Sequence, residues 1–506
     1  MPRAALVQAP GADLTTRAGE GAPGGEHRSI RRCWCWRYGN GLKNAVCKCL
    51  MTMSSWVVRN VLFPVHERLK GHCTTEILRD MEAADGMTAA ELGELSSARL
   101  RGLIEYSYAN VPYIRARMQE RRVEPVQIQS VEDLAQLPVM TKADMRANRA
   151  QLRSVLAKKL VPYSTTGSTG EPLLFDLSKR RIASRVACRQ RVTRWWGLSV
   201  GDPEFVLWGS PVELTRQDWV RAVRDQLLAT QLLSAFEMSE IVMDRYLDIM
   251  LKKRCKHIFG YPSSIYLLCL HARKQRRDLR SIGTKVVFTT GEILWPHQRE
   301  IITEALHCPV ADGYGGRDSG FISHECPQGG MHILSDAIIV EVVDSEGRPL
   351  PPGESGEIVA TDLYSHEVPF IRYATGDRGA ISSQRCRCGR ALPLLEKLDG
   401  RAMDFFLAAD GRMIPGGAVF YAFYGIDGID QFRVVQKEVG RFNIQIVAGK
   451  NYRAECEPRI RNGLERRMRS PLEVTFEYLP SFPAERTGKF RCIVSEVAGA
   501  PAMDHQ

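Results

Sequence analysis

The residues with the most direct chemical potential lie in Tyr163-Ser164-Thr165-Thr166-Gly167-Ser168-Thr169-Gly170-Glu171-Pro172, where Thr165 to Gly170 form an unbroken run of small side chains. Glycines let backbone amides approach an anion closely and hydroxyls add donors, so such a loop suits a polyphosphate. No Lys-Ser or Lys-Thr follows the second glycine, which separates it from the standard nucleotide loop, and a flexible Ser/Thr/Gly linker would have the same composition. Farther on, Asp377 ends the run Pro369-Phe370-Ile371-Arg372-Tyr373-Ala374-Thr375-Gly376-Asp377. A carboxylate on a tight turn there could accept two ribose hydroxyls, or simply sit on a surface turn. Lys489, in Thr487-Gly488-Lys489-Phe490-Arg491, is either a reacting ammonium or an ordinary solvated lysine. A separate set, Cys326, His332, Cys386 and Cys388, offers three sulfurs and one imidazole. That set matches a closed tetrahedral structural zinc site, with spacers unlike a typical finger, or reduced cysteines beside a hydrogen-bonded histidine.

In this order, and together with Leu137-Pro138-Val139-Met140-Thr141-Lys142, Gly260-Tyr261-Pro262-Ser263, Thr290-Gly291-Glu292, Tyr314-Gly315-Gly316-Arg317-Asp318 and Gly400-Arg401, these motifs resemble the adenylate-forming superfamily. The resemblance is closest to the phenylacetate–CoA ligase family, including its CapK-like capsular-polysaccharide branch, and covers about residues 60–496. It implies that Thr165, Thr166, Gly167, Ser168, Thr169 and Gly170 cradle the phosphates of ATP. Gly291, Glu292 and Tyr314 would line the adenine pocket, and Asp318 would hold Mg²⁺. Asp377, helped by Arg401, would bind the ribose. Lys489 would reach the substrate carboxylate and the bridging oxygen, and Lys489, Thr166 and Asp318 would carry the catalysis. A carboxylate attacking the α-phosphate meets another anion, so a divalent ion and an ammonium belong where charge accumulates. The implied product is an acyl-adenylate, passed to coenzyme A after the C-terminal domain rotates.

Three positions depart from the family pattern: Asp318 where relatives usually carry Glu, Ile293 after Gly291-Glu292, and Met403 beyond Arg401. They leave room for a nucleotide-binding scaffold without turnover. A second enzymatic variant would pass the acyl group to an amine, hydroxyl or sugar in polysaccharide assembly.

The elements that must position these groups are legible in outline. Thr88 and Glu91 have capping-box spacing ahead of Leu92, Leu95, Leu100, Leu103 and Ile104, which predicts a helix towards Asn110 ended by Val111-Pro112. Further helix starts are expected at Ser130 and at Thr141-Lys142. Residues 54–70, an apolar segment broken by Arg59 and Pro64, read as a short amphipathic helix followed by a turn, packed on the domain or touching a membrane surface. From about 200 to 330, short apolar runs alternate with helical patterns, the texture of α/β layers on a parallel sheet. Residues 331–385 read as a small β-rich antiparallel subdomain. The expected organisation is therefore an α/β fold. A basic, unstructured extension (1–53) precedes a large adenylation domain (54–400). A small mobile α+β lid (401–498) and a tail (499–506) follow. Trp195, Trp196, Trp208, Phe236, Tyr261 and Phe288 are candidate walls for an aryl or other apolar acid, or core.

Composition bounds the rest. The 506 residues carry 69 Lys and Arg against 58 Asp and Glu, a net charge of +11. Residues 1–70 hold eleven basic and four acidic residues, so the excess sits mainly on one arm. A nucleic-acid binder should spread that footprint over its folded surface, and none is expected here. The fourteen cysteines form no disulfide ladder and the N-terminus lacks a signal core, so a reducing cytoplasm is expected. Cys33, Cys35, Cys47 and Cys49 lie in the arm, which is read as an unstructured extension ahead of a true start at Met51 or Met53; the alternative is a zinc knuckle whose one-residue spacers are tighter than the usual two to four.

Overall fold

In the computed structural model the chain divides into two units, residues 1–52 and 53–506. The described residues are 55–165, 173–208, 224–235, 238–292, 296–398, 405–415, 428–449, 451–480 and 493–497, with isolated positions between them. The first unit lies outside them, as do Thr166 to Gly170, Phe236, Ile293, Arg401, Met403 and Lys489.

Helix α1 consists of Ser55–Val57, a π turn Val58–Leu62 and Phe63–Leu69. The helix continues through Pro64. Proline lacks an N–H and its ring crowds the carbonyl four residues back, and the wide turn ahead of it, closed by Phe63 N–H on Val58 O, takes up that misfit. After α2 (Thr74–Ala84), α3 (Ala89–Asn110) begins at the expected capping box, with Glu91 Oε2 accepting from Thr88 N at 2.8 Å. Pro112 both ends α3 and opens α4 (Pro112–Arg121). At Ser130 the structure has only a 3₁₀ turn, Glu132–Gln136, because Pro138 follows too soon for a longer helix. Thr141 caps α5 (Lys142–Ala147), as expected.

Strands β1 (Val161–Ser164) and β2 (Leu174–Leu177) form an antiparallel hairpin whose connection is the Ser/Thr/Gly loop. Helix α6 (Lys179–Trp195) leads into the predicted alternation. It comprises β3 (Glu204–Leu207), β4 (Thr230–Leu233), α7 (Glu240–Lys253), β5 (His257–Gly260), α8 (Pro262–Lys274), β6 (Val286–Thr290), α9 (Pro296–Leu306) and β7 (Val310–Gly316). These five strands are parallel, in the order β4-β3-β5-β6-β7.

The strand-rich part then continues the same sheet through β8 (Gly320–Glu325), β9 (Met331–Ile333), β10 (Ile338–Val343), β11 (Gly356–Asp362), β12 (Tyr373–Ser382) and β13 (Leu394–Leu398). The result is one eleven-stranded sheet, ordered β10-β11-β12-β13-β9-β8-β7-β6-β5-β3-β4. The antiparallel strands therefore extend from Gly320 to Leu398, beyond the expected 331–385, and share their hydrogen bonding with the parallel sheet. This end curls until β10 lies against β8, enclosing Tyr314, Ile322, Ile333, Ile338, Ile358 and Leu395. Burial of each such large apolar side chain contributes about 1.5–3 kcal/mol.

The C-terminal part has β14 (Phe405–Leu407), β15 (Met413–Pro415), β16 (Ile429–Glu438), β17 (Arg441–Ala448), α10 (Glu457–Met468), β18 (Glu473–Tyr478) and β19 (Ile493–Ser495). Its four-stranded sheet runs β18-β17-β16-β19 around a core of its own, in which Phe423 stacks on Phe432 at 3.8 Å. This is the small α+β domain expected from the sequence.

Candidate active site

Strand β12 brings two of the predicted acidic groups under common control. Tyr373 and Thr375, two apart, share a face of β12, and the register shift over Ala374–Arg378 brings Asp377 to the same Tyr314 hydroxyl as Thr375. That face meets the end of β7 and the turn after it. The Tyr373 hydroxyl donates to Asp318 Oδ2 at 2.5 Å. The Tyr314 hydroxyl lies 3.0 Å from Asp377 Oδ2 and 3.3 Å from Thr375 Oγ1, while Asp377 N donates to Thr375 Oγ1 at 3.1 Å. Gly376, at φ +80°, makes the local twist that a side-chain-bearing residue would resist. Asp377 stays half-buried, whereas Asp318 is only 8% exposed. Lys142 Nζ, on the first turn of α5, stands 3.9 Å from Asp318 Oδ2.

The turn carrying Asp318 is gripped from below by α6. Arg185 donates to Arg317 O at 2.8 Å and to Gly316 O at 2.5 Å. Arg181, fully buried, donates to Asp318 O and pairs with Asp362 Oδ2 at 2.7 Å, its guanidinium 3.8 Å from the Phe370 ring centre. Burial, aided by Arg181, pushes Arg185 down to about 10, which leaves it charged at neutral pH. The sequence reading missed both arginines and the anchoring roles of Tyr373 and Lys142. Their signal was a pair of arginines four apart on a helix whose intervening Ala183 and Ser184 are buried.

Parallel sheets place ligands beyond the carboxyl ends of their strands, and here those ends carry Trp208, Gly260-Tyr261, Thr290-Gly291 and Tyr314. Trp208 stacks on Tyr261 at 4.1 Å. Gly291, at φ +85°, lies against this pair so closely that a Cβ would stand 3.0 Å from Tyr261 Cε1. Glu292 Oε2 accepts from Ser263 N at 3.3 Å, a carboxylate at the N-terminus of α8, and burial raises its pKa despite that bond. Of the candidate aromatic walls, Trp208 and Tyr261 are at this edge. Trp195, Trp196 and Phe288 are not: Trp195 Nε1 bonds Asp85, Trp196 Nε1 bonds Glu325 O, and Phe288 is 2% exposed beneath Trp196. Tyr261 also packs on the core of the C-terminal domain, so that domain abuts this edge.

At the phosphate-loop position, Thr165 is described and Thr166 to Gly170 are not. Thr165 N donates to Leu173 O at 3.0 Å and Leu173 N to Thr165 Oγ1 at 3.0 Å, so the base of the loop is pinched shut.

The Cys/His set converges as its chemistry requires. Cys326 follows β8, His332 lies on β9, and Cys386 and Cys388 lie between β12 and β13. Their ligand atoms all fall within 4.8 Å of one another, with Cys326 Sγ 3.6 Å from Cys386 Sγ and His332 Nε2 3.1 Å from Cys388 Sγ. A tetrahedron with Zn–S bonds near 2.3 Å has edges of about 3.8 Å. His332 Nδ1 lies 3.1 Å from Leu392 O, the bond that turns Nε2 towards the thiols. Burial pushes the Cys326 thiol up to about 11, whereas at Cys388 hydrogen bonds from Arg390 outweigh burial and lower the pKa. Gly330 fits because a Cβ there would lie 2.6 Å from Cys386 Sγ. The residues fit a zinc ion, and four protein ligands leave no position for substrate.

Residues 406–496 match the CapK C-terminal domain family. A phenylacetate–coenzyme A ligase of Thermus thermophilus is 25% identical over 342 residues, 64% of this chain and 74% of the relative. Protein CapK of Staphylococcus aureus is 21% identical over 445 residues, 85% of this chain and 94% of the relative. The chain is a homologue of the phenylacetate–coenzyme A ligases and of CapK. Among solved structures, a 2-hydroxyisobutyryl-CoA ligase in complex with 2-HIB-AMP and CoA has a TM-score of 0.58 at 23% identity, over 82% of this chain and 91% of that one. That likeness is one of fold, and it covers most of the chain.

Proposed function

We propose that this protein activates a carboxylic acid with ATP to an acyl-adenylate and transfers the acyl group to coenzyme A. The observation that carries the reading is the single β12 face that holds Asp377 through Tyr314 and Asp318 through Tyr373, beside the carboxyl ends of the parallel strands. In this reading Asp377, with Arg401, orients the ribose, and Thr165 to Gly170 enclose the phosphates. Gly291 and Glu292 form the adenine wall with Tyr314, which also fixes Asp377. Asp318 supplies a hard oxygen ligand and would hold Mg²⁺, which when bound offsets charge on the phosphates. Asp318 is shorter than Glu, and the arginine-gripped turn compensates by fixing where its carboxylate stands. Lys489 neutralises the charge that develops between acid and α-phosphate. The C-terminal domain, meeting the site edge at Tyr261, serves as the lid.

The CapK C-terminal match favours one variant, transfer to an amine, hydroxyl or sugar in capsular-polysaccharide assembly. A cytoplasmic setting suits the chemistry: the nine described cysteines are all free thiols, and no helix among the described residues is long and apolar enough to cross a membrane.

The test is pyrophosphate release over a panel of acids, with and without coenzyme A. Lys489→Ala is expected to lower adenylation by about 10²–10³-fold with ATP binding little changed. Thioester formation distinguishes coenzyme A from another acceptor, and ATP binding without pyrophosphate release from any acid would refute the enzymatic reading.

A further inference from the structure

Trp195, the last residue of α6, is held from three sides. Its indole N–H donates to Asp85 Oδ2 at 2.9 Å, its ring meets the His332 ring edge to face at 5.7 Å, and the Arg390 guanidinium lies 4.5 Å from its centre. Arg390 Nε also stands 3.4 Å from Asp85 Oδ1, to which the buried Arg191 donates at 2.9 Å while bonding Asp336 Oδ1 at 2.7 Å. Two of the groups around Trp195 belong to the Cys/His centre: His332 is one of its ligands, and Arg390 follows Cys388 by two residues. The end of α6 is therefore packed on the Cys/His loop and bonded to Asp85, which Arg390 of that loop also approaches.

Farther up the same helix, Arg185 holds Gly316 O and Arg317 O, and Arg181 holds Asp318 O. Arg185 and Trp195 are ten residues apart, about 15 Å along the helix axis. A second route to the Asp318 turn is covalent, because β8 leaves that turn at Gly320 and ends at Glu325, next to Cys326. A tetrahedral metal sets the distances among all four ligands at once, so loading it takes freedom from the ends of β8 and α6 together. The loaded and the empty loop are then two states of one element, which the turn at the far end can feel. We propose that zinc in the Cys/His centre positions the Asp318 turn through Trp195 and α6, so that filling the centre strengthens the binding of ATP with Mg²⁺. The inference rests on the reading of Asp318 as the Mg²⁺ ligand. Trp195 acts through the helix as a positioning residue. A zinc ion that only stabilised its own loop would leave the affinity for the nucleotide and its metal unchanged.

The experiment is isothermal titration of the full-length chain with ATP, in the presence and absence of Mg²⁺, on protein whose zinc content has been measured. Wild type loaded with zinc should bind ATP about tenfold more tightly when Mg²⁺ is present. Trp195→Leu should keep its zinc and lose most of that gain, with its affinity for ATP alone unchanged. Trp195→Phe, which keeps a ring between His332 and Arg390, should recover the gain. Wild type stripped of zinc with dipicolinate and dialysed should behave as Trp195→Leu and regain the Mg²⁺ effect when zinc is returned, so the test does not depend on the folding of a variant. A full Mg²⁺ gain in Trp195→Leu or in the zinc-free protein overturns the inference and leaves the Asp318 reading standing. Equal weakening with and without Mg²⁺ also overturns it, because a general loosening of the fold would act on both. Absence of zinc from the purified chain overturns it as well. No Mg²⁺ gain in zinc-loaded wild type refutes the Asp318 reading itself, and the inference with it.

Discussion

Replacing Asp377 with alanine tests the nucleotide reading most directly. The carboxylate has about four lone-pair positions, and the Tyr314 hydroxyl at 3.0 Å occupies one of them. If the remaining positions take the two ribose hydroxyls, each hydrogen bond to a charged acceptor contributes about 1.5–3 kcal/mol. Removing both would cost about 3–6 kcal/mol, or roughly 10²–10⁴ in affinity at 1.4 kcal/mol per factor of ten. Removing a carboxylate also takes a like charge away from the triphosphate, which returns part of that loss. The comparison between nucleotides isolates the hydroxyl contribution. Isothermal titration of wild type with ATP, 2′-deoxyATP and 3′-deoxyATP should show each missing hydroxyl weakening binding by about 10–150-fold. Asp377→Ala should bind all three equally. The fold should survive, because Tyr314 keeps Thr375 Oγ1 at 3.3 Å and the site of substitution is half-buried. A variant that still discriminates ATP from its deoxy analogues as wild type does would refute the ribose role of Asp377.

The remaining expectations concern the frame around the site. Burial, reinforced by Glu325, pushes Asp312 up to about 6 from 3.8, so the folded state takes up a proton and stability falls as pH rises through that window. Asp312→Asn should therefore gain up to about 3 kcal/mol over wild type above pH 7 in urea denaturation, with the gain vanishing below pH 4. Elemental analysis of protein purified without chelator should find about one zinc per chain, and Cys388→Ser should lose the metal and lower the melting temperature; full metal content in that variant would exclude the four-ligand set. Arg181→Met leaves Asp362 buried without its cationic partner and should cost about 3–5 kcal/mol, measured by the denaturation midpoint.

Much of this site could be read from residue order alone, and the limits have physical reasons. Asp377 lies beyond a register shift that alternation does not reveal, whereas Tyr373 and Thr375 announce a common face as soon as their segment is taken as a strand, because alternation is a local property. The same holds for Thr88 and Glu91, whose capping box needs only four residues of chain. The Cys/His set was legible from residue type, although sixty residues separate Cys326 from Cys386 and no spacing rule reaches that far. What escaped was long-range and directed at backbone. Arg181 and Arg185 belong to no motif in the sequence, because they hold carbonyl oxygens more than 130 residues away, which no side-chain pattern records. The antiparallel strands were expected as a unit of their own because their texture differs from the parallel run, but hydrogen bonding between β7 and β8 makes one sheet of both.

The alternation of β12 has a consequence for how this site can change over generations. Slipping that strand by one position turns Tyr373, Thr375 and Asp377 to the opposite side together, and adding two positions restores their direction while carrying them about 7 Å along the strand. Neither leaves both carboxylates served. The register irregularity between Glu357 and Val359 lies opposite Ala374–Arg378, inside the segment, and the one between Ala380 and Ile381 lies after it, so only the second can absorb a gained or lost residue without moving these groups. Insertions should therefore be tolerated at the Ala380–Ile381 irregularity and lethal to activity between Tyr373 and Asp377, a boundary that a single-residue insertion scan would draw.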